Sequence, residues 1–258
     1  MSTAFVMGAS RGVGRGVATS LAESGFDVYG TGRSIEAADL PSSVVRIRCD
    51  HTDDQQTAAA FARFKSEQNE LDILVNCAWG GYERMVEDGQ FTWAAPFWSQ
   101  PLHRWTSMID AGVRAAFVAS SHAAQLMTRQ RKGLIVHISY WAAQKYLGNT
   151  IYGIAKAATD KMAADMAHEL RDYNVAVISL YPGLVRTESV MAAAQQGWLD
   201  ISNSESPEFI GRVVAALSRN PKLMALSGER VVAAKAAIEL GVRDIDDKQP
   251  VPLTADSA

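Results

Sequence analysis

The chain has 258 residues, 48% of them hydrophobic, with a formal net charge of -3 and a pI near 6.0. That length suits one α/β domain with an ample core, and its scattered basic residues leave no nucleic-acid footprint. No run approaches the apolar length of a membrane span, and two cysteines, Cys49 and Cys77, cannot build a disulfide framework or a metal cluster, so free buried thiols in a cytoplasmic protein are expected.

Thr3 to Met7 reads as a strand, followed by Gly8-Ala-Ser-Arg-Gly-Val-Gly14 and a helix over Gly12 to Ser24. Gly8, Gly12 and Gly14 permit a tight turn and let backbone amides approach a pyrophosphate at the positive end of the helix. The spacing, Gly-x-x-x-Gly-x-Gly, departs from the commoner Gly-x-Gly-x-x-Gly dinucleotide fingerprint. A cleavable leader is not expected, because it would consume the first strand. The second strand, Asp27 to Thr31, runs into Thr31-Gly-Arg-Ser34. A site preferring NAD usually places a carboxylate here on the ribose 2′-hydroxyl. Arg33, with Arg11 in the glycine turn, suits a 2′-phosphate instead, so NADP(H) is expected over NAD(H). The alternative is that both arginines are solvated loop residues.

A third strand, Val44 to Cys49, ends at Asp50; a helix over Asp53 to Gln68 and a fourth strand, Leu71 to Asn76, follow. The stretch from Trp79 to Trp105 holds a third of the chain's aromatic side chains, among them Trp79, Tyr82, Trp93 and Trp98. Such density suits an apolar pocket wall for a flat or bulky hydrophobic carbonyl compound, and equally suits anchors that pack down a long loop. Trp79 and Trp98 are pocket candidates. So are Trp141 and Tyr146 further along, and Met191 and Trp198 in a lid over Ser189 to Ser206.

A long helix is expected over Leu102 to Arg131, then a fifth strand over Gly133 to Ile138. Ser139 emerges at its carboxyl end, where open α/β sheets bind ligands. His137 shares that strand face and is expected as an interior residue, and the other histidines lack metal-ligand spacing. In the helix Ile151 to Tyr173, Tyr152 and Lys156 are i, i+4 neighbours on one face. A phenol titrates near pH 10, roughly, and works near neutrality only when a cation stabilises its phenolate. Lys156 can supply that charge. A strand over Val175 to Leu180, the turn Pro182-Gly183, a helix over Pro207 to Ser218 and a last strand over Arg230 to Val232 complete the series. Strands alternating with helices predict a single-domain doubly wound parallel sheet, a Rossmann fold of about seven strands with helices on both faces. The polar end, Arg243 to Ala258, is expected to be a mobile tail or an interface arm.

The glycine turn, Asp50, Asn76-Cys-Ala-Trp79, Ser139, Tyr152, Lys156 and Pro182-Gly183 followed by Thr187 together resemble the short-chain dehydrogenase/reductase family from about Thr3 to Val232. Trp79 stands where that family usually has glycine. The resemblance implies hydride transfer between nicotinamide C4 and a ketone, aldehyde or secondary alcohol carbon, with Tyr152 as proton donor or acceptor. It implies that Ser139 polarises the substrate oxygen, and that Lys156 binds the nicotinamide ribose and lowers the Tyr152 pKa. Gly8, Ser10, Gly12, Gly14, Asp50, Asn76, Ala78, Pro182, Gly183 and Thr187 would hold the cofactor. A homodimer or homotetramer through the two long helices is implied as well, with no membrane or nucleic-acid partner.

One departure stands out. In Gly112-Val-Arg-Ala-Ala-Phe117, Gly112 takes the position where the family usually has a catalytic Asn. Asp110 lies two positions away on the helix and points elsewhere. Two other readings therefore stay open: a non-catalytic NADP(H)-binding protein that regulates a partner, and a non-redox lyase or epimerase on the same scaffold.

Overall fold

The structure is a computed structural model describing residues 2–82, 85–87 and 90–258. Its strands are β1 (Thr3–Met7), β2 (Asp27–Gly32), β3 (Val45–Arg48), β4 (Ile73–Asn76), β5 (Gly133–Ile138), β6 (Val175–Tyr181) and β7 (Arg230–Val232). All pair parallel, in the order β7-β6-β5-β4-β1-β2-β3. The central strands β1, β4, β5 and β6 are near-continuous apolar runs because both sheet faces are covered there; β6 is buried along its whole length, whereas the outer β3 carries two arginines and is only partly buried.

The alternation within β1 shows how the two core layers divide. Ala4 and Val6 join a layer built with α1 (Gly12–Glu23), which contributes Val17 and Leu21. Phe5 and Met7 join the opposite layer, with Phe61 and Phe64 of α2 (Asp54–Glu67). That second layer also takes Ala115, Ala119 and Ala123 from α3 (103–130) and Ala163 and Ala167 from α4 (Thr150–Leu170). A short α5 (Glu188–Gln195) follows, and then α6 (Pro207–Ser218) and α7 (Ala233–Leu240) return to the first layer. Side-chain caps mark several helix starts: Asp53 accepts from the backbone N–H of Gln55 and Gln56, and Ser206 from that of Phe209 ahead of Pro207.

The register levels the carboxyl ends of the central strands. Met7 is opposite Asn76, Asn76 opposite His137, and His137 opposite Ser179. Strand order reverses between β1 and β4, so the following segments leave in opposite directions and open a crevice above that edge.

The structure departs from the sequence expectations in four places. The helix expected over 102–131 is continuous but mixed: α-helical at His103–Trp105 and Ala115–Gln130, with π-helical turns at Thr106–Arg114 between them. Helices α5 and α7 were not foreseen. Two small strand pairs are added, Leu184–Val185 with Ser204–Glu205 and Val86–Glu87 with Gln90–Phe91. Finally, the polar end is not a free tail at its start. The Asp244 carboxylate is buried, and it accepts hydrogen bonds from the Ser206 backbone N–H (2.8 Å), the Ser206 hydroxyl and Arg186 Nη2 (3.1 Å). A buried carboxylate so paired ties the segment down; Val251, further on, donates its N–H to Asn203 Oδ1 at 2.9 Å. Among the described residues, no helix is long and apolar enough to cross a membrane.

Candidate active site

The glycine turn after β1 is shaped by what it packs against. Gly8 and Gly12 both have left-handed backbones, at φ +71° and +54°. A Cβ on Gly8 would lie 2.8 Å from the Ala78 backbone, and one on Gly14 would lie 2.2 Å from the Gly8 carbonyl oxygen. No side chain fits at either position, and the first turn of α1 is left facing the crevice. There the Gly12 N–H donates to both carboxylate oxygens of Glu188, at 3.0 and 3.3 Å, and Arg15 Nε lies 3.3 Å from the same group. A carboxylate seated on the positive end of α1 shows that this turn suits an anion. Ser10 lies beside it, its buried hydroxyl without a hydrogen-bond partner among the described residues. Arg11 and Arg33 are exposed at the rim. Arg33 acts on Asp50: burial opposes ionisation there, but hydrogen bonds from Thr52 and the Arg33 charge hold the carboxyl below its ordinary range.

Ser139 follows β5 directly and is buried, its N–H donating to the Leu180 carbonyl of β6 at 2.9 Å. Asn149 caps α4 by accepting from the Tyr152 N–H at 3.0 Å. This sets Tyr152 in the first turn and Lys156 one turn later, both buried. The Ser139 hydroxyl points to the Lys156 carbonyl at 3.4 Å, while Lys156 Nζ donates to the Ile138 carbonyl at 3.0 Å. The ammonium lies 4.2 Å from the Trp79 ring centroid and 5.7 Å from that of Tyr152. Three further aromatics frame Tyr152, with centroids at 5.3 Å for Trp93, 5.9 Å for Trp79 and 6.0 Å for Tyr82. The Tyr82 hydroxyl donates to that of Tyr152 at 3.0 Å.

Burial, with the Tyr82 hydroxyl alongside, pushes the Tyr152 phenol well above its ordinary value. The same burial pushes the Lys156 ammonium down to about 8, against Asp160 and Cys77, which favour its charged form. In this arrangement the ammonium lies nearer the Trp79 ring than that of Tyr152, and burial is what raises the phenol.

Asn76, at the end of β4, donates through Nδ2 to the Ser120 hydroxyl at 3.1 Å and to His137 Nδ1 at 3.2 Å. His137 is an interior residue, pushed down to about 4 by burial and so neutral at pH 7. Among the described residues, Asn76 Oδ1 and His137 Nε2 have no hydrogen-bond partner, and both residues line a small cavity reaching Gly112 and Lys156. Beyond buried Pro182, the Gly183 N–H donates to Glu205 Oε2 at 2.8 Å. Glu205 is itself buried, and burial lifts it to about 7 despite that hydrogen bond. Thr187 caps α5, accepting from the Val190 N–H at 3.4 Å.

Gly8, Ala78, Asn76, Trp79, Ser139, Tyr152 and Lys156 thus gather at one edge. The other pocket candidates do not join Tyr152. Trp98, Tyr146 and Trp198 are 77%, 70% and 72% exposed, with Trp98 set edge-on to Phe97. Trp141 packs edge-on against Tyr181, and Met191 is half-buried on α5. Sequence reasoning missed the specific roles of Tyr82, Glu188 and Glu205. Only Tyr82 carried a signal, in the paired Gly80-Gly81 between two aromatics.

The family model for short chain dehydrogenases matches residues 2–198. Dehydrogenase/reductase SDR family member 1 of Mus musculus is 36% identical over 263 aligned positions, covering 94% of this chain and 83% of that protein. The protein of the same name from Homo sapiens is 35% identical with the same coverage. The crystal structure of an NADPH-dependent reductase involved in bacilysin biosynthesis superposes with a TM-score of 0.73 at 22% identity, covering 90% of this chain and 96% of that one.

Proposed function

The chain belongs to the short-chain dehydrogenase family, and from that premise we propose that it is an NADP(H)-dependent oxidoreductase acting on a hydrophobic ketone, aldehyde or secondary alcohol. The observation that carries this reading is the convergence of Ser139, Tyr152 and Lys156 at the carboxyl edge of the sheet, beside a glycine turn that already seats a carboxylate. Gly8, Gly12, Gly14, Ser10, Asn76, Ala78, Pro182, Gly183 and Thr187 would hold the cofactor. Arg11 and Arg33 would meet the 2′-phosphate, with Asp50 near the adenine. When bound, the nicotinamide supplies or accepts the hydride.

The chain's own residues divide the remaining work. Ser139 donates its hydroxyl hydrogen to the substrate oxygen and polarises the carbonyl. Tyr152 passes its proton to that oxygen in reduction, or takes one in oxidation. Lys156, where charged, favours the phenolate and so moves the Tyr152 pKa toward the working pH. The apolar rings of Trp79, Tyr82 and Trp93 exclude water around Tyr152 and favour a flat, hydrophobic substrate. The Tyr82 hydroxyl donates to the Tyr152 oxygen, which leaves the Tyr152 hydroxyl hydrogen free to reach a substrate oxygen. Two copies would pair through α3 and α4, whose exposed Phe117 and Ile154 support such a contact.

Deuteride transfer from C4-labelled NADPH to aromatic, steroid-like and aliphatic carbonyls, read by mass spectrometry, tests the proposal. Label is expected in the alcohol with the wild type and reduced by at least about 100-fold with Tyr152→Phe, the scale of a lost general acid. Equal transfer by Tyr152→Phe would remove Tyr152 from the chemistry. Absence of transfer despite NADPH binding would favour a binding protein or a non-redox enzyme.

A further inference from the structure

We propose that Trp79 is the positioning residue for Lys156, holding the ammonium against its indole face, and that position 112 is glycine so that the ring can lie there. The contact is independent of the functional reading above; its consequence for catalysis rests on that reading.

The geometry is specific on both sides of the ring. Among the described residues, Lys156 Nζ has one hydrogen bond, to the Ile138 carbonyl at 3.0 Å, and otherwise faces the indole at 4.2 Å. A buried ammonium needs more than one neutral acceptor, and an indole face is the strongest aromatic partner for a cation. The ring is held in a slot cut by two glycines. A Cβ on Gly112 would lie 2.8 Å from Trp79 Cε3 and 2.9 Å from Cζ3, and a Cβ on Gly81 would lie 2.6 Å from Cζ2 and 2.7 Å from Cε2. Either side chain would drive the indole off Lys156. Glycine within a helix is otherwise unfavourable, so Gly112 in the π-helical stretch Thr106–Arg114 has its reason in the ring. Chain positions 79 and 112 therefore act as an exchange: an indole enters from the loop after β4, and the helix gives up its side chain to receive it.

The other groups facing Lys156 are Asp160 on α4, Cys77 beyond β4, and Tyr152. Asp160 and Cys77 favour the charged lysine against burial, and the indole face works in the same direction. Removing the ring should make the lysine give up its proton more readily.

The test is the Lys156 titration midpoint, followed by NMR on full-length protein carrying 13Cε-lysine, in wild type, Trp79→Leu, Trp79→Phe and Gly112→Ala. Trp79→Leu and Gly112→Ala are expected to lower the midpoint by about one pH unit, a tenfold loss of proton affinity. Trp79→Phe, which retains a ring face, is expected to keep most of it. An unchanged midpoint in folded Trp79→Leu overturns the proposal. Should that variant fail to fold, an unchanged midpoint in Gly112→Ala overturns it equally. On an active wild type, the alkaline limb of kcat should move down with the midpoint in the same variants. A shifted midpoint in a protein that transfers no hydride would defeat the functional reading and leave the contact standing.

Discussion

At Tyr152 and Lys156, burial acts in opposite directions on the two titrations, raising the phenol and lowering the ammonium. Both neutral forms are thereby favoured, so any cation retained at Lys156 has a large effect on its neighbour. Glu205 gives the clearest pH signature outside this pair. It keeps its proton to about pH 7 in the fold against 4.5 as its ordinary value, chiefly through burial. Between those values the folded chain binds more protons than the unfolded one, so stability falls as pH rises. The contribution is full below 4.5 and lost through 7, on the order of 3 kcal/mol. Glu205→Gln retains an acceptor for the Gly183 N–H without the charge. It is expected to flatten this fall when unfolding by denaturant is compared at pH 5 and pH 8; a variant that tracks the wild type would refute the assignment. Ser139, Tyr152 and Lys156 were legible in the sequence because their relation is local, a strand end and one helical turn. Glu188 and Glu205 were not, because their partners Gly12 and Gly183 are brought to them only by the folded chain.

Among the elements, α1 and α5 form the most consequential pair. The first residue of α5, Glu188, sits on the N-terminus of α1 where an anionic cofactor group would compete for the same amide. Glu188→Gln removes the competing charge and is expected to tighten NADPH binding by roughly fivefold, on the order of 1 kcal/mol, measured by calorimetry at low salt. Unchanged or weaker binding would show that the Glu188 contact coexists with the cofactor. Most helices were legible as the segments between strands, those at α2 and α6 being the plainest, and the structure adds their caps, Asp53 and Ser206. The π-helical turns in α3 were not, since Gly112 is interpretable only once the Trp79 ring is beside it. The short, alanine-rich α5 and α7 carry too little periodic contrast to stand out from their flanking loops.

For the molecule as a whole, the central strands β1, β4, β5 and β6 were legible because a sheet buried on both faces writes itself as near-continuous apolar runs. The anchoring at the start of the polar end was not legible for a complementary reason: Asp244 is an acidic residue, and its burial is supported by partners that the fold brings to it, Arg186 and Ser206, together with the Ile245 N–H. Asp244→Ala leaves Arg186 without that partner and is expected to cost about 3 kcal/mol or more of unfolding free energy, with a lower thermal midpoint in calorimetry. A midpoint within a degree or so of wild type would mean the segment is only loosely held.

Translation builds this sheet outward from β1, first on one flank and then on the other. The first half grows outward on one flank: β2 and then β3 are laid outside β1, and the other flank of β1 stays bare until Ile73–Asn76 has been made. From β4 onward every new strand is added at the same flank, in the order in which it leaves the ribosome. The bare flank of β4 must therefore wait through the aromatic-rich stretch and all of α3 before Gly133–Ile138 can cover it. An open parallel edge beside unfolded aromatic chain is the species most exposed to aggregation or chaperone capture. A pause in synthesis between Asn76 and Gly133 would prolong it, whereas one after β5 would find the central edge already closed.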